Sequence, residues 1–272
     1  MAITLLHLSD LHFGAKDLNL GQVISQGVDK GLLGFYNLKL NPSRRFSPKT
    51  RKAALDKALQ LPWDQLAFTG DLTSLSLDSE FTNAKEALAP FLQKPNPLII
   101  PGNHDCYTAN ATYDQRLEKA FGEYLPTFDQ AIASIALDDQ WQAILVNQAE
   151  PNAFYDSRGW FEEDALRLAL EQARDKRIVV MGHYAACLPQ GIKEAKMHKL
   201  RNVEVFEQIL KDAGAELYLH GHIHKSWAHR PYSSHKLQTV CSGGTARHAK
   251  GAWAGFHLIT LGDEVNIQRV RA

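Results

Sequence analysis

Short apolar runs that end in glycine or a polar cluster recur along the chain. ITLLHL (3–8), QLAFTGD (65–71), PLIIPGNHD (97–105), QAILVNQ (142–148), RIVVMGHY (177–184) and ELYLHGHIH (216–224) each read as a buried strand running into a turn. Between them, apolar residues return at helical spacing in TRKAALDKALQ (50–60), DSEFTNAKEALAPFLQ (78–93), YDQRLEKAFGEYL (113–125), WFEEDALRLALEQARDK (160–176) and NVEVFEQILKDAG (202–214), the last with Gly214 at a helix stop. This alternation predicts an α/β fold with parallel strands near the start. The tail changes character. LQTVCSGG (237–244), GFHLITLG (255–262) and EVNIQRVRA (264–272) predict strands joined by short turns, an antiparallel stretch completing a second sheet. No repeat interrupts the pattern, and Pro95 to Pro97 marks a loop, so residues 1–272 are expected to form one domain.

Composition narrows the class. Thirty basic residues balance thirty acidic ones, which argues against a general nucleic-acid-binding surface. Cys106, Cys187 and Cys241 are few, widely spaced and contain no CxxC pair, so neither a disulfide framework nor a thiolate zinc site is expected. Both cysteines near the polar clusters, Cys106 and Cys187, read as small packing residues. With no apolar stretch near the roughly 18 residues of a membrane span and no charged leader before MAITLLHLSD, the expectation is a cytoplasmic protein.

The candidate chemistry gathers where the strands end. Asp10 and His12 follow the first strand, Asp71 the second, Asn103, His104 and Asp105 the third, His183 a later one, and His222 and His224 follow ELYLHG. Strand carboxyl ends are where open α/β sheets bind ligands. Carboxylates, imidazoles and a carboxamide without thiolate form a donor set suited to Mn²⁺, Fe or Zn²⁺, with enough donors for two ions. Residues two apart in an extended strand share a face, so DxH and HxH pairs project atoms to the same side, and Asp10 and His12 can grip one ion together.

DLH (10–12), GD (70–71), GNHD (102–105), GH (182–183) and GHIH (221–224), in this order, resemble the signature of the calcineurin-like metallophosphoesterase family. The resemblance implies a four-layer α/β/β/α sandwich, two mixed sheets flanked by helices, with two metal ions (divalent or mixed-valence Mn, Fe or Zn) at the strand ends. Carried over by position, Asp10, His12 and His224 hold the first metal, Asn103, His183 and His222 the second, and Asp71 bridges. His104 is not a ligand but lies beside the phosphoryl group as a general acid. Two ions roughly 3.5–4 Å apart clamp phosphoryl oxygens and turn a shared water into a hydroxide nucleophile for in-line attack, and a neighbouring general acid contributes about 10²–10⁴ in rate.

Two departures refine the resemblance. Protein phosphatases of the superfamily carry an Asp three residues after the GD aspartate, where this chain has Ser74, and GDLT with GNHD is more similar to the bacterial cyclic-nucleotide phosphodiesterase-like branch. Many relatives also carry a second His and prolines after GH, whereas this chain reads GHYAACLP, so that loop is expected to differ in detail. His7 and His220 are expected in the core or behind the ligands; His198, His229, His235, His248 and His257 also fall outside the matched positions. Asp105 reads equally as an orienting group or as a cap of the following turn.

The segment 21–52 is the least regular and admits two readings. Leu33, Phe35 and Tyr36 beside Lys30, Lys39, Arg44, Arg45, Lys49, Arg51 and Lys52 suit an apolar and basic flap over 30–52, with contact to an acyl chain or a peripheral membrane surface. They equally suit ordinary packing with solvated charges. A second basic run, KEAKMHKLR (193–201), lines the same mouth or faces solvent. Three function classes follow: a phosphodiesterase acting on a phosphate ester such as a nucleotide, a pyrophosphatase acting on an amphiphilic nucleotide-sugar of the lipid A pathway type, and a non-catalytic metal-binding scaffold.

Overall fold

The computed structural model describes residues 2–14, 46–151, 156–247 and 254–271. Eleven strands are found among them: β1 (Ile3–Leu8), β2 (Gln65–Thr69), β3 (Leu98–Ile100), β4 (Ile132–Ala136), β5 (Trp141–Val146), β6 (Arg177–Met181), β7 (Leu217–His220), β8 (Ser226–His229), β9 (Gln238–Ser242), β10 (Phe256–Leu261) and β11 (Val265–Val270). The helices are α1 (Pro48–Leu59), α2 (Asp78–Leu92), α3 (Ala109–Tyr113), α4 (Arg116–Phe121), α5 (Glu163–Gln172) and α6 (Val203–Asp212), with short 3₁₀ turns at Gly122–Tyr124 and Lys196–His198.

One sheet runs β11-β10-β1-β2-β3 and the other β4-β5-β6-β7-β9-β8. Both are mixed: β1, β2 and β3 are parallel while β10 runs against β1, and β5, β6, β7 and β9 are parallel while β4 and β8 run against their neighbours. Alternation along β1 shows how the layers form. Leu6 and Leu8 pack with Phe81, Leu88 and Phe91 of α2 and Leu55 of α1, whereas Leu5 joins Val179, Leu219 and Ile259 between the sheets. On the far side, Leu166 and Leu170 of α5 and Phe206 and Ile209 of α6 cover Ile144, Val180 and Tyr218. The result is the α/β/β/α sandwich of two mixed sheets, with β1 in the middle of its sheet.

The tail differs from the expectation. β10 and β11 do not complete a second sheet; they extend the first, and β9 alone joins the second, parallel to β7. Strand β10 carries apolar residues on both faces, Phe256 and Leu258 toward the helices and Ile259 and Leu261 between the sheets, and so suits an interior position. The helix expected over 113–125 is broken. Gln115 adopts a left-handed φ of 53°, and the buried Arg116 turns to the Ser76 carbonyl at 3.1 Å. Strands β4 and β8 carry no clear apolar pattern in the sequence and are set by pairing.

Local chemistry starts the helices where the pattern begins. Ser47 caps α1, its hydroxyl accepting the Thr50 amide at 3.0 Å, with Pro48 in the first turn. Glu80 reaches back from α2 to accept the amides of Leu75 and Leu77 at 2.8 and 3.2 Å.

Near the ligand end, the layer between the sheets turns polar. His7 bonds Thr69 Oγ1 and Ser242 Oγ, and Ser242 Oγ also meets His257 Nδ1, each at 3.0 Å; all four residues are fully buried. His220 is buried too, against Tyr218. Burial, with Arg269 and His220 nearby, pushes His257 down to about 3, and burial pushes His7 well below its ordinary value.

In the unfolded chain these imidazoles titrate near about 6.5. Between that value and their folded values the unfolded chain binds more protons, so stability is full above about pH 6.5 and is lost as pH falls toward 3. Chelator-treated protein is therefore expected to show urea midpoints that fall steadily below pH 6.5. His257→Asn should make the slope shallower by up to about 1.4 kcal/mol per pH unit; equal slopes would contradict this account.

Candidate metal centre

All the matched residues lie just past strand ends, and at five of them the backbone is left-handed rather than extended. Asp10 and His12 follow β1 with φ of 54° and 47°, Asp71 follows β2 at 59°, and His222 and His224 follow β7 at 67° and 52°. The shared-face argument from strand alternation is thus wrong. The two-residue spacing works because alternate left-handed residues fold each loop sharply. A non-glycine residue in this region costs of order 1–3 kcal/mol and persists where its surroundings over-determine it.

Those surroundings are a short ladder between the loops. The amides of Asp10, His12 and Phe13 donate to the carbonyls of Gly70, Asp71 and Leu72 at 3.0, 3.0 and 2.7 Å. Arg51 Nη1 donates to the carbonyls of Leu11 and His12 at 3.1 and 3.0 Å, and Arg247 Nη1 to that of His224 at 2.7 Å. Asp105 settles between its two expected roles in a third one. It accepts the amides of Leu72, Thr73 and Gly102, tying the GD loop to the GNHD loop. Burial, together with the charge of Asp71, lifts its carboxyl to about 6. Glycine is required by contact at Gly221, where a Cβ would lie 2.0 Å from Ser9 Oγ and 2.2 Å from Asp10 Oδ2.

Two sets of donor atoms result. His12 Nε2, His224 Nε2 and Asp10 Oδ1 lie 3.2–3.7 Å from one another. His183 Nε2, His222 Nδ1 and Asn103 Oδ1 lie 2.9–3.3 Å apart. Two ligands each about 2.1 Å from an ion at tetrahedral or octahedral angles are about 3.0–3.4 Å apart, so both sets have ligand spacing. Asp71 sits between them. Its Oδ1 accepts the His104 amide at 2.8 Å, while its Oδ2 has no hydrogen-bond partner and lies 3.5 Å from His12 Nε2 and 3.4 Å from His183 Nε2. Asp10, His12, Asp71 and His224 together form a metal-binding group. A wholly buried carboxylate oxygen left unpaired between two imidazoles is what a bridging ligand requires.

Electrostatics agree with a cation at this point. Burial opposes charge on Asp10, yet hydrogen bonds from His12 and His224 hold its carboxyl well below the usual range. Burial likewise opposes charge on His183, yet Asp71 beside it lifts the imidazole to about 9. The pair of buried carboxylates attracts positive charge, and a metal ion supplies it by displacing protons from the imidazoles. His183 Nδ1 donates to the Thr69 carbonyl at 2.7 Å, which leaves the lone pair on Nε2, the nitrogen that faces Asn103 and Asp71.

His104 stands beside both sets. Its ring meets His12 edge-on at 4.8 Å, stacks on Tyr107, and Nδ1 donates to the Ser74 carbonyl at 2.7 Å. Burial pushes its pKa down to about 4. Of the flap segment, residues 21–45 lie outside the described residues, as does His248. The described remainder packs on the centre: Phe46 contacts the rings of His12 and His224 at 4.2 and 4.8 Å, and Arg51, one of the segment's basic residues, stacks on Phe13 and holds backbone. The run 193–201 does border the centre, through the His198 carbonyl and the Glu194 carboxylate at His222 rather than through its basic groups. Sequence reasoning gave no role to Arg247 or Glu194 and placed Arg51 in the flap rather than against the ligand loops. None carries a local signal, since each is brought in by a separate element.

A family model described as calcineurin-like phosphoesterase matches residues 3–226, and the chain belongs to that family. No curated protein sequence matches it. Among solved structures, a dimetal phosphatase from Danio rerio is similar at 13% identity and a TM-score of 0.65, over 99% of this chain and 97% of that one. GAP50, the anchor in the inner membrane complex of Plasmodium, is similar at 11% identity and 0.54, over 99% and 84%. The sulfate thiohydrolase SoxB of Thermus thermophilus reaches 13% and 0.52, over 99% of this chain and 56% of that one. At these identities the likeness is one of fold. Among the described residues, no helix is long and apolar enough to cross a membrane.

Asp71→Asn removes the unpaired charge and keeps the shape. Equilibrium dialysis against Mn²⁺ is expected to show fewer ions bound per chain than in the parent, while the chelator-treated variant melts no lower, because a buried uncompensated charge has gone. Full metal content in the variant would refute the bridging arrangement.

Proposed function

We propose that the chain is a dinuclear-metal-dependent phosphodiesterase. Asp10, His12 and His224 hold one ion, Asn103, His183 and His222 the other, and Asp71 joins them. The observation that carries this reading is Asp71 Oδ2, unpaired and buried between two convergent donor sets. When bound, the ions supply Lewis acidity toward the phosphoryl oxygens and an acidified water.

The protein's own groups do the rest. Asp10 is fixed by the amide of His222 and the hydroxyl of Ser9, so it presents one oxygen to the imidazoles. Holding its Nδ1 proton on the Ser74 carbonyl, His104 offers Nε2 to a substrate. Its partner is a neutral carbonyl rather than the carboxylate found in protein phosphatases, so burial keeps the resting imidazole unprotonated near pH 7. A phosphate anion against Nε2 raises that pKa, and the resulting imidazolium protonates the leaving oxygen.

Diester chemistry is favoured by charge. Arg51 and Arg247 flank the ligands but are committed to backbone carbonyls. A singly charged diester needs less from the protein than a doubly charged monoester. The GDLT and GNHD forms point the same way. The pyrophosphatase reading rests on 30–52, whose described part packs on the centre, and it has no observation of its own. GAP50 shows that the fold can serve as an anchor, but this chain keeps every matched ligand.

A substrate panel with added Mn²⁺, comparing mono- and diesters, cyclic nucleotides and a UDP-linked lipid, is expected to rank a diester first; a monoester or the UDP-linked lipid ranking first would replace the reading. His104→Ala should keep its metal and lose about 10²–10⁴ in turnover. The loss should be larger for an alkyl than for an aryl leaving group. Unchanged turnover on an alkyl diester would end the general-acid assignment.

A further inference from the structure

The outer edge of His222 is held differently from those of His183 and His104. The outward nitrogens of His183 and His104 each donate to one neutral carbonyl, Thr69 and Ser74. His222 Nε2 instead donates to the His198 carbonyl at 2.8 Å and also lies 3.0 Å from Glu194 Oε1. The Glu194 side chain is 5% exposed, and this oxygen has no hydrogen-bond partner of its own. A buried, unpaired carboxylate oxygen is thus aimed at the edge of the imidazole opposite its donor atom. That donor atom, Nδ1, faces Asn103 Oδ1 and His183 Nε2.

We propose that Glu194 is a positioning residue for the second metal ion, acting through His222. The inference rests on the proposed second set of ligands. The mechanism is electrostatic. Negative charge beside Nε2–H keeps the proton on that nitrogen, leaves the lone pair on Nδ1, and raises the electron density that Nδ1 offers to an ion. The His198 carbonyl fixes the direction of the N–H; Glu194 adds charge from the same side. Both partners come from the loop that ends at Leu200, which bridges to Gly159 and whose Met197 carbonyl accepts the Ser157 amide. The loop is therefore anchored independently of the metal ligands. The selective pull falls on one ion, because His222 belongs to the second set alone.

Titration of the chelator-treated full chain with Mn²⁺ alone, followed by calorimetry, tests the proposal without using turnover. Glu194→Gln keeps the shape and removes the charge. It is expected to weaken one binding step by about 10- to 100-fold, the range seen when carboxylates behind ligating histidines are removed. The other step should be unchanged, as should melting in chelator. Glu194→Ala should show the same selective loss, which covers the case in which the amide misfolds the loop. His222→Ala identifies the step concerned, since it should abolish it. Parent-like affinity at both steps in Glu194→Gln and Glu194→Ala, or equal weakening of both steps, would overturn the role of Glu194. Two undisturbed steps in His222→Ala would instead overturn the second ligand set itself, so the two failures are distinguishable.

Discussion

Everything at the carboxyl ends of these sheets is organised around two carboxylates shut away from the protein surface. Asp10 and Asp71 are fully buried, and isolated charges in such a place are costly unless paired or bound to metal. The surrounding structure answers that cost. Imidazoles converge from both sheets, amides of His222 and His104 point at the carboxylate oxygens, and one oxygen of Asp71 is left for a cation. Strained backbone follows from the same demand. Five of the proposed ligands, Asp10, His12, Asp71, His222 and His224, hold left-handed φ values in the sharp loops that bring side chains from separate strands together.

Much of this was legible because the strand pattern and the polar clusters coincide. ITLLHL, RIVVM and LYLH are mostly apolar, as strands largely buried on both faces are, so the ends of the runs and the positions of Asp10, His183 and His222 could be read together. The loop conformation was not legible. Alternation suggested an extended DxH, and no residue type in SDLHF announces left-handed Asp and His. Tail pairing escaped as well, since LQTVCS and GFHLITL read alike while joining different sheets. Arg51, Arg247 and Glu194 belong to tertiary structure alone. A guanidinium from the second turn of a helix reaching the carbonyl of a residue 39 positions earlier leaves no trace in spacing.

The fold by itself says little about chemistry. Structures with a similar trace include a phosphatase, a thiohydrolase and a membrane-complex anchor. What separates one use from another is how each side chain at the strand ends is committed. Here the flanking arginines serve the backbone, Asp105 welds two loops, and Ser74 offers a carbonyl where a carboxylate stands in protein phosphatases. The same framework can change its reaction by reassigning such groups without moving a strand.

Because the first metal group draws Asp10 and His12 from one sheet and His224 from the other, with 212 positions between the two histidines, it has a timing as well as a geometry. A ribosome must deliver most of the chain before the last of these donors exists. An ion held by this group would staple the loop after β1 to the loop after β7, tying the two sheets together at their ligand ends.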